Sequence, residues 1–153
     1  MDHTVNQYDI HEQSTTDTPV STIKCTNAIT SIDYSMDLNL LATTHNDSVV
    51  RIHDLRTSEQ QVMKLQLQSH KQWVNTVRFQ NQLNQHNNLL CTGSYDESIK
   101  LWDIRSTIPL YTIESHTDKV LAIDWLQDNI VSGSADCQLQ LHTINAQQNS
   151  INV

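Results

Sequence analysis

His70, Ser94 and Asp96 lie close together in the middle of this chain and carry the three groups of a nucleophilic set. In such a set a carboxylate orients an imidazole, which takes the proton of the attacking hydroxyl. The flanking residues argue against that use, because no Gly-x-Ser-x-Gly elbow surrounds Ser94 to expose its oxygen. The eight histidines invite a metal centre, yet no His-x-x-x-His or Cys-x-x-Cys spacing offers a tetrahedral set of ligands. Gly93 and Gly133, the two glycines, stand 40 residues apart, so no glycine-rich loop cradles a phosphate. The expectation is therefore no catalytic residue, no metal and no cofactor. Hydrolase activity lost in Ser94→Ala, with the fold intact, would be the signature of the enzyme reading.

These residues are better explained by the elements that must position them, because they recur. Asn27–Asp54, Trp73–Asp103 and Lys119–His142 line up as three blocks, with equivalent aspartates Asp47, Asp96 and Asp136 spaced 49 and then 40 residues apart. Each block holds three short runs rich in β-branched and aromatic residues, separated by Asn, Asp, Gly and Ser. Apolar positions alternate with polar ones, as where Ile99 and Leu101 flank Lys100, which is the period of a strand. A fourth run fits after each of the first two blocks, at Val62–Leu67 and Leu110–Glu114. Four strands in about 45 residues is the arithmetic of a β-propeller blade.

Block two carries Ser69-His70, then Thr92-Gly93-Ser94-Tyr95-Asp96, then Leu101-Trp102-Asp103, and in these motifs it resembles the WD-repeat family. The resemblance implies a hydrogen-bonded lock among His70, either Thr92 or Ser94, Asp96 and Trp102. The chemistry is sound in its own right, since a carboxylate in a tight turn orients an imidazole and a buried indole N–H requires an acceptor. Block three keeps His116 and Asp136 but has His142 in place of Trp. Block one keeps Asp47, with His53 in place of Trp and Cys25 at the His position. Only the middle block carries the whole lock.

The same resemblance divides the chain into a half-blade over 1–24, a blade over 25–68, the fully locked blade over 69–115, a three-stranded last blade over 116–144 and a polar tail over 145–153. Asp2–Asp9 aligns with Asp47–Asp54, with Tyr8 at the Trp position and Pro19–Lys24 as that blade's outer strand. The expected fold is all-β, about three and a half blades of a seven-bladed propeller.

Composition narrows the partners. Nine Lys+Arg stand against seventeen Asp+Glu, a net charge of −8, which argues against direct binding to a nucleic-acid backbone. No apolar run approaches the ~20 residues that span a bilayer. Three widely spaced cysteines, an odd number, fit reduced thiols better than a disulfide framework. His70–Val74, Asp103–Tyr111 and above all His116–Trp125 resemble a nucleolar WD-repeat subfamily that works with pescadillo and the block-of-proliferation protein. That resemblance implies a non-catalytic scaffold in large (60S) ribosomal subunit biogenesis and rRNA processing, with protein partners of those two types, in the nucleolus and nucleoplasm. The alternative is a substrate-recognition subunit of a ubiquitin ligase or a signalling complex.

Four residues are candidate partner contacts. Trp73 stands just before a strand, where block three has Lys119, and an aromatic at such a junction could anchor a partner. Arg56 and Arg105 occupy equivalent positions, each two residues after the Asp that closes a third strand.

Overall fold

A computed structural model describes residues 3–8, 19, 21–56, 63–80, 88–145 and 150–152, and every regular element among them is a strand. Strands β1 (Thr4–Gln7) and β2 (Ser21–Lys24) pair antiparallel as a two-stranded sheet. Blade one comprises β3 (Ile29–Ser35), β4 (Leu40–His45), β5 (Val49–Asp54) and β6 (Met63–Gln68). Blade two comprises β7 (Val74–Phe79), β8 (Leu89–Ser94), β9 (Ile99–Asp103) and β10 (Pro109–Ile113). Blade three comprises β11 (Val120–Leu126), β12 (Asn129–Ser134), β13 (Leu139–Asn145) and β14 (Ser150–Asn152). Each blade is a four-stranded antiparallel meander, so the fold is all-β, a partial propeller.

Blade three departs from expectation. Its sequence pattern stops at a third strand, yet β14 from the polar tail pairs with Thr143–Asn145. An edge strand needs only backbone N–H and C=O groups, which a polar segment offers as readily as an apolar one. Tyr8, aligned with the buried Trp position, lies past the end of β1 and is exposed. Asp2, Asp9 and Val62 lie outside the described residues.

The inner strands β3, β7 and β11 each carry a bulge near their start, between Ile29 and Ser31, Val74 and Thr76, and Val120 and Ala122. A bulge inserts one residue and resets the alternation, which is why Val74 and Val77 are both buried although three positions apart. Pro109 opens β10, an edge strand, where its missing N–H costs no ladder bond.

The core lies between blades. Leu40, Val50, Ile52 and Leu67 of blade one pack against Val74, Val77, Phe79 and Trp102 of blade two. Cys91, Ile99, Leu101 and Ile113 on its other side meet Val120, Ile123 and Ile130 of blade three. Each fully buried aliphatic side chain contributes about 1.5–3 kcal/mol. Gly93 makes the second junction possible, since a Cβ there would stand 2.7 Å from Val120 Cγ1 and 2.8 Å from Thr76 Cγ2. Gly133, its counterpart in blade three, has nothing within 4 Å of the same position, because it lies on the uncovered face.

Polar stitches cross both junctions. Thr30 Oγ1 donates to the Val74 carbonyl at 2.7 Å, and Asp33 accepts the Phe79 N–H at 2.7 Å. Asn75 Nδ2 donates to the Leu121 carbonyl at 2.8 Å, and Trp125 Nε1 to the Arg78 carbonyl at 3.1 Å.

Candidate functional site

Blade two assembles one continuous hydrogen-bonded relay. His70 leads into β7, Thr92 lies on β8, Asp96 in the β8–β9 turn and Trp102 on β9, so the meander alone brings them together. Asp96 receives His70 Nδ1 at 3.0 Å, and because an ionised carboxylate only accepts, Nδ1 bears the proton. Nε2 is then an acceptor and takes the Thr92 hydroxyl at 2.8 Å, while Thr92 Oγ1 accepts the Trp102 indole N–H at 2.9 Å. The hydroxyl of the lock is therefore that of Thr92. Ser94 is occupied elsewhere, donating to the Trp73 carbonyl at 2.9 Å and accepting the Asp96 N–H at 3.1 Å. With its proton committed to a carbonyl, Ser94 is not arranged as the nucleophile of His70 and Asp96. Burial raises the Asp96 carboxyl, but bonds from His70, Ser98 and the Lys71 N–H outweigh it and hold the group well below the usual carboxylate range. Burial lowers His70 in spite of its carboxylate.

Blade three repeats the relay with different residues. His116 Nδ1 meets Asp136 at 2.8 Å, and Nε2 meets Ser132 Oγ at 2.8 Å. His142 Nε2, standing where blade two has its indole, lies 3.0 Å from the same hydroxyl. Against burial, bonds from the Thr117 and Gln138 N–H groups and from His116 bring Asp136 down to about 2. Ser132 is not among the residues the lock motif singles out, although its register opposite Thr92 in the alignment is a usable signal.

Blade one differs most. Asp47 holds no imidazole; it pairs with Arg51 at 2.8 Å and accepts the Asn27 amide at 2.6 Å. The ring that meets the hub hydroxyl comes instead from β4: His45 Nε2 lies 2.9 Å from Thr43 Oγ1, and its Nδ1 lies 3.2 Å from the Asn27 carbonyl. His53 Nε2 reaches Thr43 Oγ1 from the Trp side at 3.2 Å. His45 was unread because it follows Thr43 by two residues on the same strand instead of arriving from the preceding loop. A histidine in the Trp position reproduces the indole N–H but brings a second ring nitrogen, and Nδ1 of both His53 and His142 is buried without a hydrogen-bond partner.

The four candidate contacts do not form one surface. Trp73 and Lys119 lie at the end of the sheets where the inner strands begin. Trp73 is 52% exposed and stacks on Tyr95, with ring centroids 6.0 Å apart. Lys119 Nζ sits 5.4 Å from the centre of the Tyr95 ring. The Trp73 carbonyl accepts from both the Ser94 hydroxyl and the Tyr95 N–H, so the exposed indole is held on an ordered backbone. Beside it a cleft of about 620 Å³ is lined by Asn46, Ser48, Lys71 and Gln72. Arg56 and Arg105 lie at the opposite end. Arg105 Nε pairs with Asp103 at 2.9 Å, and Arg56 Nη2 donates to the Leu38 carbonyl at 2.7 Å. Among the described residues no group of three His, Cys, Asp or Glu side chains is placed to hold a metal ion. No helix among them is long and apolar enough to cross a membrane.

Comparison with known proteins adds a second line. The profile of the anaphase-promoting complex subunit 4 WD40 domain matches residues 32–128. Similar proteins described as "Ribosome biogenesis protein WDR12 homolog" include one from Dictyostelium discoideum, 36% identical over 93% of this chain and 32% of its own length. Another, from Trichoplax adhaerens, is 40% identical over 72% of this chain and 26% of its own. A third, from Arabidopsis thaliana, is 31% identical over 92% and 31%. The chain thus spans about a third or less of the length of these relatives. With the profile match covering more than half of the residues and the His–hydroxyl–Asp relays in place, the chain belongs to the WD40-repeat family.

Proposed function

We propose that this chain is part of a non-catalytic WD-repeat scaffold in large-subunit ribosome biogenesis and rRNA processing, working in the nucleolus and nucleoplasm. The observation that carries the reading is the 36% identity over 93% of the chain to a relative named for ribosome biogenesis. The geometry supports it, since the candidate triad is spent on a buried lock and the exposed chemistry is that of protein contact. Trp73, backed by Tyr95 and flanked by Lys119, is the contact we favour, because an aromatic already ordered loses little freedom on binding. Arg56 and Arg105 serve a second contact at the other end. The partners are proteins of the pescadillo and block-of-proliferation types in pre-60S particles.

Affinity capture of the tagged chain from nuclear extract tests this. Recovery of large-subunit precursors with those two partners is the expected result. Recovery of cullin or G-protein subunits without them would overturn it in favour of a ubiquitin-ligase or signalling adaptor.

A further inference from the structure

Blade one alone closes its relay with two imidazoles and no carboxylate. His45 and His53 are 0% and 4% exposed and share the hydroxyl of Thr43. The Asn27 carbonyl only accepts, so His45 Nδ1 bears the proton, and Nε2 must accept from Thr43. His53 then donates to Thr43 through Nε2–H, and its Nδ1 faces no partner. The arrangement is best satisfied with both rings neutral. A proton on His45 Nε2 pushes the Thr43 O–H onto the Arg51 carbonyl at 3.4 Å, a poorer bond, and one on His53 Nδ1 is a buried donor with no acceptor.

The surroundings offer such a proton little help. The charged groups facing the pair are Arg51 on β5 and Asp47 in the β4–β5 turn, already paired with each other. β6 sets Met63 opposite His53, and blade two lays Val74, Val77 and Trp102 against the sheet. In blades two and three the loop histidine has Asp96 or Asp136 bonded to its ring.

We infer that blade one is an acid-released latch: protonation of the His45–Thr43–His53 relay opens β4 and β5 more readily than the matching strands of blades two and three. Burial lowers both His45 and His53, with the Asn27 carbonyl opposing it at His45 and Arg51 adding to it at both. A lowered base binds its proton more tightly in the open state, so closure is complete above the open-state value near 6.5 and weakens as pH falls below it. At pH 6.0 each released imidazole favours opening by at most about fourfold, and two together by at most about sixteenfold. Burial likewise lowers His70 in blade two and His142 in blade three.

Backbone amide exchange of the full chain at pH 8.0 and 6.0, corrected for intrinsic rates, tests the latch while staying above the isoelectric point of 5.3. Opening of β4–β5 should rise by more than the ceiling of about fourfold that one imidazole sets, up to about sixteenfold, and that of β8–β9 by no more than about fourfold. His53→Gln, which keeps an N–H donor for Thr43 but does not titrate, should cut the β4–β5 response to no more than about fourfold, and His45→Gln/His53→Gln should flatten it. Equal acceleration in all three blades, or an undiminished β4–β5 response in His53→Gln, would overturn the inference. A proton-NMR titration supplies a measurement free of variants: His45 and His53 should titrate below 6.5 in the folded chain, and titration at or above it would overturn the inference as well.

Discussion

Replacing Thr92 by valine tests the relay at its hub. The side chain keeps its shape, is fully buried, and loses only the oxygen. Two groups are stranded at once. The Trp102 indole N–H, at 0% exposure, loses its acceptor, and His70 Nε2 loses its donor. Water reaches neither, so each is charged close to the full cost of an unsatisfied buried group, about 1–3 kcal/mol. The expected loss is about 2–5 kcal/mol, a large share of what holds a domain of this size together. Urea unfolding followed by circular dichroism should show the midpoint falling by about 1–2.5 M at a slope of about 2 kcal/mol/M. Ser94→Ala removes one hydroxyl bonded only to backbone groups and should cost about 1 kcal/mol. A Thr92→Val chain within about 0.5 kcal/mol of wild type, or a Ser94→Ala chain hit as hard, would refute the assignment of Thr92 as the shared hydroxyl.

The other expectations are simpler. Gly93→Ala should destabilise by about 1–3 kcal/mol because its Cβ drives into Val120 and Thr76, whereas Gly133→Ala should be near neutral in the same thermal melt. Asp96→Ala leaves the His70 Nδ1–H only the Ser98 hydroxyl at 3.3 Å and should cost about 2–4 kcal/mol, against about 1 kcal/mol for Asp47→Ala, whose partners Arg51 and Asn27 keep access to water. Since Asp96 titrates below its unfolded value near 3.9, its stabilisation is present above that pH and lost as pH falls through its folded value; Asp96→Asn should therefore flatten the acid limb of a stability profile below pH 4. Leu121, Leu126, Leu139 and Leu141 are exposed on blade three, so sedimentation should show self-association that Leu139→Lys/Leu141→Lys reduces.

The blade architecture was legible because the repeat is written in residues that pack: Val74, Ile99, Leu101 and Val120 all fall where a buried strand position must be. The His70–Asp96 and His116–Asp136 pairs were legible for the same reason, each recurring at a fixed offset from its strands. The choice between Thr92 and Ser94 was not, since residues two apart on a strand share a face and both are fully buried. Only distance to His70 and Trp102 separates them. His45 escaped because the repeat fixes where a ring must arrive, and a ring can arrive from a strand as well as from a loop. β14 escaped because pairing through backbone groups leaves no trace in side-chain pattern. Tyr95 beneath Trp73 needed the fold, for a turn residue acquires a neighbour only when the meander closes.

The stitches between blades have a consequence for how this sequence can drift. Thr30, Asn75 and Trp125 each donate from a side chain to a main-chain carbonyl, at Val74, Leu121 and Arg78. The information for each bond is held on one side of the junction only. Substitutions at the accepting positions leave the carbonyl in place, whereas a change at the donor erases the bond outright. Neighbouring blades can therefore diverge one at a time, without paired changes across their junction. Tolerance should be one-sided: broad for the accepting partner and narrow for the donor.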